Sequence, residues 1–108
     1  MKLPSDSQIA GKKLTNYLLR QRIEDDKSQF LARAGYTLET AEQLLNDIRD
    51  QLLPLEAQKN EQTDYGPKYI IRGRLTGPNG VALRVVTVWM TEYATGITKF
   101  ITLYPDKS

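Results

Sequence analysis

Eight side chains in the last third of this chain have the chemistry to grip an anion or a ring: Lys68, Arg72, Arg74, Thr87, Trp89, Phe100, Thr102 and Tyr104. Their spacing is mostly even, so three neighbouring β-strands can present them on one face. Cations, hydroxyls and aromatic rings on an open sheet suit RNA. They suit a partner protein equally, and the residues leave both open. The chain has no cysteine and no histidine. Disulfides, thiolate zinc sites and Ser–His or Cys–His nucleophile pairs are therefore excluded. No acidic cluster has loop-like metal spacing, so no metal and no cofactor is expected.

The strands that must carry this face run from Lys68 to Thr76, Val81 to Glu92 and Ile97 to Tyr104. Gly77-Pro78-Asn79-Gly80 and Thr95-Gly96 are the turns, and Pro105 ends the last strand. Closing the first hairpin at Gly77 and Gly80 sets Arg74 opposite Leu83, Arg72 opposite Val85 and Lys68 opposite Trp89. Closing the second at Ala94 and Ile97 sets Glu92 opposite Lys99, a favourable charge pair. Trp89 then meets Thr102, and Thr87 meets Tyr104. In this register Tyr69, Ile71, Leu75, Ala82, Val86, Val88, Met90, Ile101 and Leu103 form the core face. Arg84 falls on that core side beside Gly73, unless a bulge swings it out. Solvated surface is the plain reading of the open face, but an outward Trp89 needs something to cover it.

Helices supply the cover for the apolar face. The pattern predicts one at Lys12–Arg20, a second starting near Asp25 or Asp26 and stopping at Gly35, and a third capped by Thr37 and stopped by Pro54. The third has apolar residues at Leu38, Ala41, Leu44, Leu45, Ile48 and Leu52. Its acidic residues read as a wet helix face. Residues 55–62 are either a linker or an edge strand. The expectation is a single α+β domain over 1–108: a flexible arm at 1–11, about three helices in 12–54, and a three- to four-stranded antiparallel meander in 55–105.

The composition is that of a globular domain, with 40% hydrophobic and 26% charged residues. A formal net charge of +2 is too small to argue for nucleic acid without a local basic stripe. No apolar run approaches the roughly 20 residues that span a bilayer, and the amino terminus lacks a signal core. A cytoplasmic location without membrane contact is the expectation.

Several short motifs carry a resemblance: Lys27-Ser28 with Phe30, Gly35-Tyr36, Tyr65-Gly66 with Lys68-Tyr69, Gly77-Pro78-Asn79-Gly80, Thr87-Val88-Trp89, and Thr102 with Tyr104-Pro105. From about Lys12 onward the chain resembles an uncharacterised bacterial domain family. That family occurs as small stand-alone proteins and as carboxy-terminal modules of polymorphic toxins. The order of helices then meander also resembles the barnase–EndoU–colicin–RelE ribonuclease fold, where RNA is cut on the sheet face opposite the helices. Lacking histidine, the chain departs from many of those enzymes and sits nearer the RelE-like toxins, which work with arginine, lysine and tyrosine.

These resemblances imply a toxin-type, RNA-directed domain, as a metal-independent endoribonuclease. Arg72, Arg74 or Arg84 would neutralise the phosphorane. Lys27 or Lys68 would act as base if its pKa were strongly lowered. Thr87, Thr102 and Tyr104 would position phosphate or donate a proton, and Trp89 and Phe100 would stack a base. The alternative is a non-catalytic module that binds a small cognate protein encoded nearby, or a second copy as a homodimer, through Trp89 and its neighbours.

Overall fold

After Pro54 the side-chain period changes to two, and the chain folds there as one antiparallel sheet in the order β1-β2-β3-β4. The structure, a computed structural model, describes residues 1–14, 19 and 27–107. The strands are β1 (Gln58–Thr63), β2 (Gly66–Thr76), β3 (Ala82–Thr91) and β4 (Thr98–Pro105). The ambiguous segment before Thr63 is thus an edge strand. It is polar and almost wholly exposed, as suits a free edge.

Two helices stand among the described residues, fewer than the three expected. α1 is Lys27–Ala32. α2 is continuous over 38–52: a 3-10 turn (Leu38–Thr40), an α-helix (Ala41–Asp47) and a π turn (Ile48–Leu52). The π turn shows in the Leu53 N–H donating to the Ile48 carbonyl at 3.0 Å. Leu44, Ile48 and Leu52 are fully buried, as their spacing requires, whereas Leu38 is exposed. Gly11–Lys13 forms a single helical turn at the start of the first predicted helix, whose remainder lies outside the described residues. So do Asp25 and Asp26, the expected start of the second.

α2 packs on one face of the sheet. A Cβ at Gly73 would come within 2.6 Å of Leu55 and 2.9 Å of Leu52, so the missing side chain sets how closely this segment approaches β2. The amino-terminal segment, expected as a flexible arm, packs as well. Leu3 and Ile9 are buried in the core. Gln8 bridges in parallel to the edge of β4, its N–H on the Thr98 carbonyl and its carbonyl on the Phe100 N–H, both at 2.8 Å.

The register differs from the one expected, and with it the faces of β3. Gly77 pairs with Val81, not Gly80: its N–H donates to the Val81 carbonyl at 3.0 Å. The loop is therefore three residues, Pro78-Asn79-Gly80, with Gly80 in the left-handed region at φ +86. One extra residue sets Arg74 opposite Arg84, Arg72 opposite Val86 and Tyr69 opposite Trp89. The second hairpin closes on the Glu92 N–H and Ile97 carbonyl, leaving a four-residue loop and Trp89 opposite Phe100. Val88 then pairs with Thr102, so Ile101 is bulged out of the ladder and residues beyond it change sides.

The core face is consequently Tyr69, Ile71, Leu75, Leu83, Val85, Thr87, Trp89, Phe100 and Leu103. The expected core positions on β3 (Ala82, Val86, Val88, Met90) lie on the other side. Trp89 is fully buried with its ring 5.3 Å from that of Phe100, edge to face. Its indole N–H donates to Thr87 Oγ1 at 2.8 Å, and the Thr87 hydroxyl donates to the Ile71 carbonyl at 3.2 Å. This chain of bonds makes a threonine acceptable in an apolar layer.

Candidate functional site

The face of the sheet turned away from α2 is ordered by register into rows that cross three strands. At the hairpin end, Arg74 stands directly opposite Arg84. The Asp106 N–H donates to the Arg84 carbonyl at 2.9 Å, extending the ladder one residue past Pro105 and adding Asp106 to that row. The next row is Arg72, Val86 and Tyr104, and the third is Ile70, Val88 and Thr102. The last is Lys68, Met90 and Lys99, with Glu61 of β1 beside Lys68. Neighbours within a row are about 5 Å apart at Cβ, and successive rows are about 6.6 Å apart along each strand.

Charged side chains are concentrated at both ends of this face and apolar side chains at its middle. Directly opposed like charges are unfavourable in a ladder. Arg74 against Arg84, with Arg72 one row away, therefore favours an anion at the hairpin end. One carboxylate is already there: Arg72 Nη1 lies 3.2 Å from Asp106 Oδ1. At the other end Lys68 pairs with Glu61 at 3.4 Å and Lys99 with Glu92 at 3.0 Å. Hydrogen bonds from Lys99 and Thr95 hold the Glu92 carboxyl below its ordinary pKa. In the middle, Val86 lies buried between Arg72 and Tyr104, and Val88 between Ile70 and Thr102. Lys27, the first residue of α1, donates from Nζ to Thr102 Oγ1 at 3.0 Å.

Seven of the ten candidate residues thus come together on one surface: Lys27, Lys68, Arg72, Arg74, Arg84, Thr102 and Tyr104. Arg84 is among them, on the open face and not on the core side where it is expected. Thr87, Trp89 and Phe100 do not, because the three-residue loop turns the first two inward and the strand up to the Ile101 bulge carries Phe100 with them. The predicted Glu92–Lys99 ion pair is present, although Lys99 opposes Met90. Asp106 escaped the sequence reading. Continuing the alternation past Pro105 would have found it, since Thr102, Tyr104 and Asp106 share one parity.

Among the described residues no group of three or more His, Cys, Asp or Glu side chains is placed to hold a metal ion. Nor is any described helix long and apolar enough to cross a membrane.

These features define an α+β domain with a four-stranded antiparallel meander, covered on one face and carrying three arginines at the hairpin end of the other. The chain belongs to the family described as domain of unknown function DUF6883, whose model matches residues 2–107. No curated protein and no solved structure matches it.

Proposed function

We propose that this domain is RNA-directed and toxin-like, acting as a metal-independent ribonuclease on the face that carries Arg72, Arg74 and Arg84. The direct opposition of Arg74 and Arg84, with Arg72 in the adjacent row, is the observation that carries the reading. Guanidinium forks bind phosphate oxygens in pairs, and the mutual repulsion of such a cluster is relieved when an anion enters.

The chemistry is internal transfer. The ribose 2′-oxygen bonds to phosphorus and gives up its proton, the bond to the 5′-oxygen breaks, and that oxygen takes a proton. The products are a 2′,3′-cyclic phosphate and a 5′-hydroxyl. The arginines neutralise the phosphorane. Lys27, held at Thr102, is assigned to the 2′-proton, and the Tyr104 hydroxyl, one row from Arg84, is assigned to supply the other. The similarity of the helix-then-meander order to the barnase–EndoU–colicin–RelE fold supports the same reading.

Replacing Arg74 and Arg84 together with alanine tests it. Both are exposed, so circular dichroism and melting should stay close to those of the unaltered protein. RNA affinity should fall at least about tenfold and the salt slope by about two, and cyclic-phosphate product should disappear. If the unaltered, folded protein neither binds nor cuts RNA, the reading fails.

The partly exposed Ile70 and Met90 at the centre of the same face favour a second reading. In it a small cognate protein or a second copy docks there, with Tyr104 as the aromatic anchor in place of the buried Trp89.

A further inference from the structure

Asp106 sits within the arginine group, and it is well enclosed for a residue just past the end of a strand. Its side chain is only 8% exposed, while that of Arg72 is 50% exposed. Its backbone is tied to Arg84, and its carboxylate reaches across β3 to Arg72. It opposes Arg84 in the row that begins with Arg74. From this geometry we infer that Asp106 is an internal competitor: its carboxylate occupies the place of a substrate phosphate on Arg72 and holds the affinity of the basic face down. The inference rests on the RNA reading given above.

Two effects of the carboxylate oppose each other. It orients Arg72, which would help binding. It also repels an incoming phosphate and uses a donor of Arg72, which hinders binding. The orienting effect is small, because a single-point contact to a half-exposed arginine stabilises little. The repulsion acts over about one row, and Asp106 is shielded from solvent, so it is poorly screened. Competition wins, and the face binds phosphate less tightly than its three guanidinium groups alone would.

The test is titration of a fluorescein-labelled, 12-nucleotide single-stranded RNA by anisotropy at several salt concentrations, with melting followed in parallel. Asp106→Asn should bind about three- to tenfold more tightly than the unaltered protein. Its salt slope should steepen by about one. Asp106→Ser should behave the same way, which guards against a folding defect in either variant. Adding Arg72→Ala to Asp106→Asn should remove part of the gain, because the freed guanidinium is then absent. Equal or weaker binding by both folded Asp106 variants overturns the inference and makes Asp106 a positioning residue. In that case loss of binding in Arg74→Ala/Arg84→Ala would leave the RNA reading standing. If no folded variant binds RNA, both fall together.

Discussion

Replacing Thr87 by valine changes neither the shape nor the strand preference of the side chain, but it removes the oxygen that accepts the indole N–H of Trp89 at 2.8 Å. Trp89 is fully buried between the sheet and the helices, so that N–H finds no water when the acceptor is lost. Leaving one buried donor unsatisfied costs about 1–3 kcal/mol. In a domain of this size each kcal/mol moves the melting temperature by about 4 °C, so a fall of about 4–12 °C is expected. Thr87→Ser keeps the oxygen and loses one methyl group, for about 1 kcal/mol. The chain has a single tryptophan, so urea unfolding followed by its fluorescence reports directly on this site. On an outward-facing Thr87, valine would be neutral or slightly stabilising. A measured change under about 0.5 kcal/mol for Thr87→Val would therefore refute the inward placement of Thr87 and Trp89.

Other outcomes follow from the same packing. A methyl group at Gly77 would lie 2.0 Å from the Ala34 carbonyl oxygen, a backbone atom, so Gly77→Ala should destabilise by about 3 kcal/mol in chemical denaturation. Tyr36→Phe should cost about 1–3 kcal/mol at neutral pH, because the Tyr36 hydroxyl donates to the buried Asp47 carboxylate at 2.6 Å. Burial first, and the bond to Asp47 second, push the Tyr36 phenol above its ordinary value near 10. The folded state then keeps a proton that the unfolded chain releases, so this stabilisation is complete below about pH 10 and is lost as pH rises beyond it. Urea midpoints between pH 9 and 11 should fall less steeply for Tyr36→Phe. Arg74→Ala with Arg84→Ala should weaken RNA binding at least about tenfold without unfolding the domain, and Asp106→Asn should strengthen it.

Local signals were legible in the sequence wherever period and punctuation act within a few residues. The spacing from Leu44 to Leu52 announces the buried side of α2, and Gly35, at φ +93, ends the α1 segment as expected. β2 shows its inner set at Ile71 and Leu75 and its outer set at Lys68, Arg72 and Arg74. Register is harder, because one residue in a loop reverses a whole strand. Yet a signal for the first loop was present. Proline fixes φ near −65° and cannot open a two-residue hairpin turn of the primed types, which need positive φ at that position. Pro78 as the first loop residue therefore points to the longer loop with Gly80 at its left-handed end. The Ile101 bulge has no comparable marker, since isoleucine suits either face. The packing of the amino-terminal segment through Leu3 and Ile9 was equally hidden, being a long-range contact of a short polar stretch.

An outward Trp89 and an inward Arg84 belong to one alternative register of β3, and its energetics show why the chain avoids it. A two-residue first loop would bury Arg84 among apolar side chains, where an unpaired charge costs several kcal/mol. It would also expose Trp89 and lose its contact with Phe100, which is worth about 0.5–1.5 kcal/mol beyond the burial itself. The three-residue loop reverses both terms at once. Its only polar cost is Thr87, whose hydroxyl is satisfied by Trp89 and Ile71. The basic face is thus a by-product of good core packing on β3: turning Trp89 in turns Arg84 out, directly opposite Arg74. Core stability does not, however, need three arginines within two rows, because a single neutral residue at position 74 would remove the repulsion with no loss of buried surface. The placing of three arginines within two rows, with a carboxylate already seated on Arg72, is the physical reason to look for an anionic ligand there.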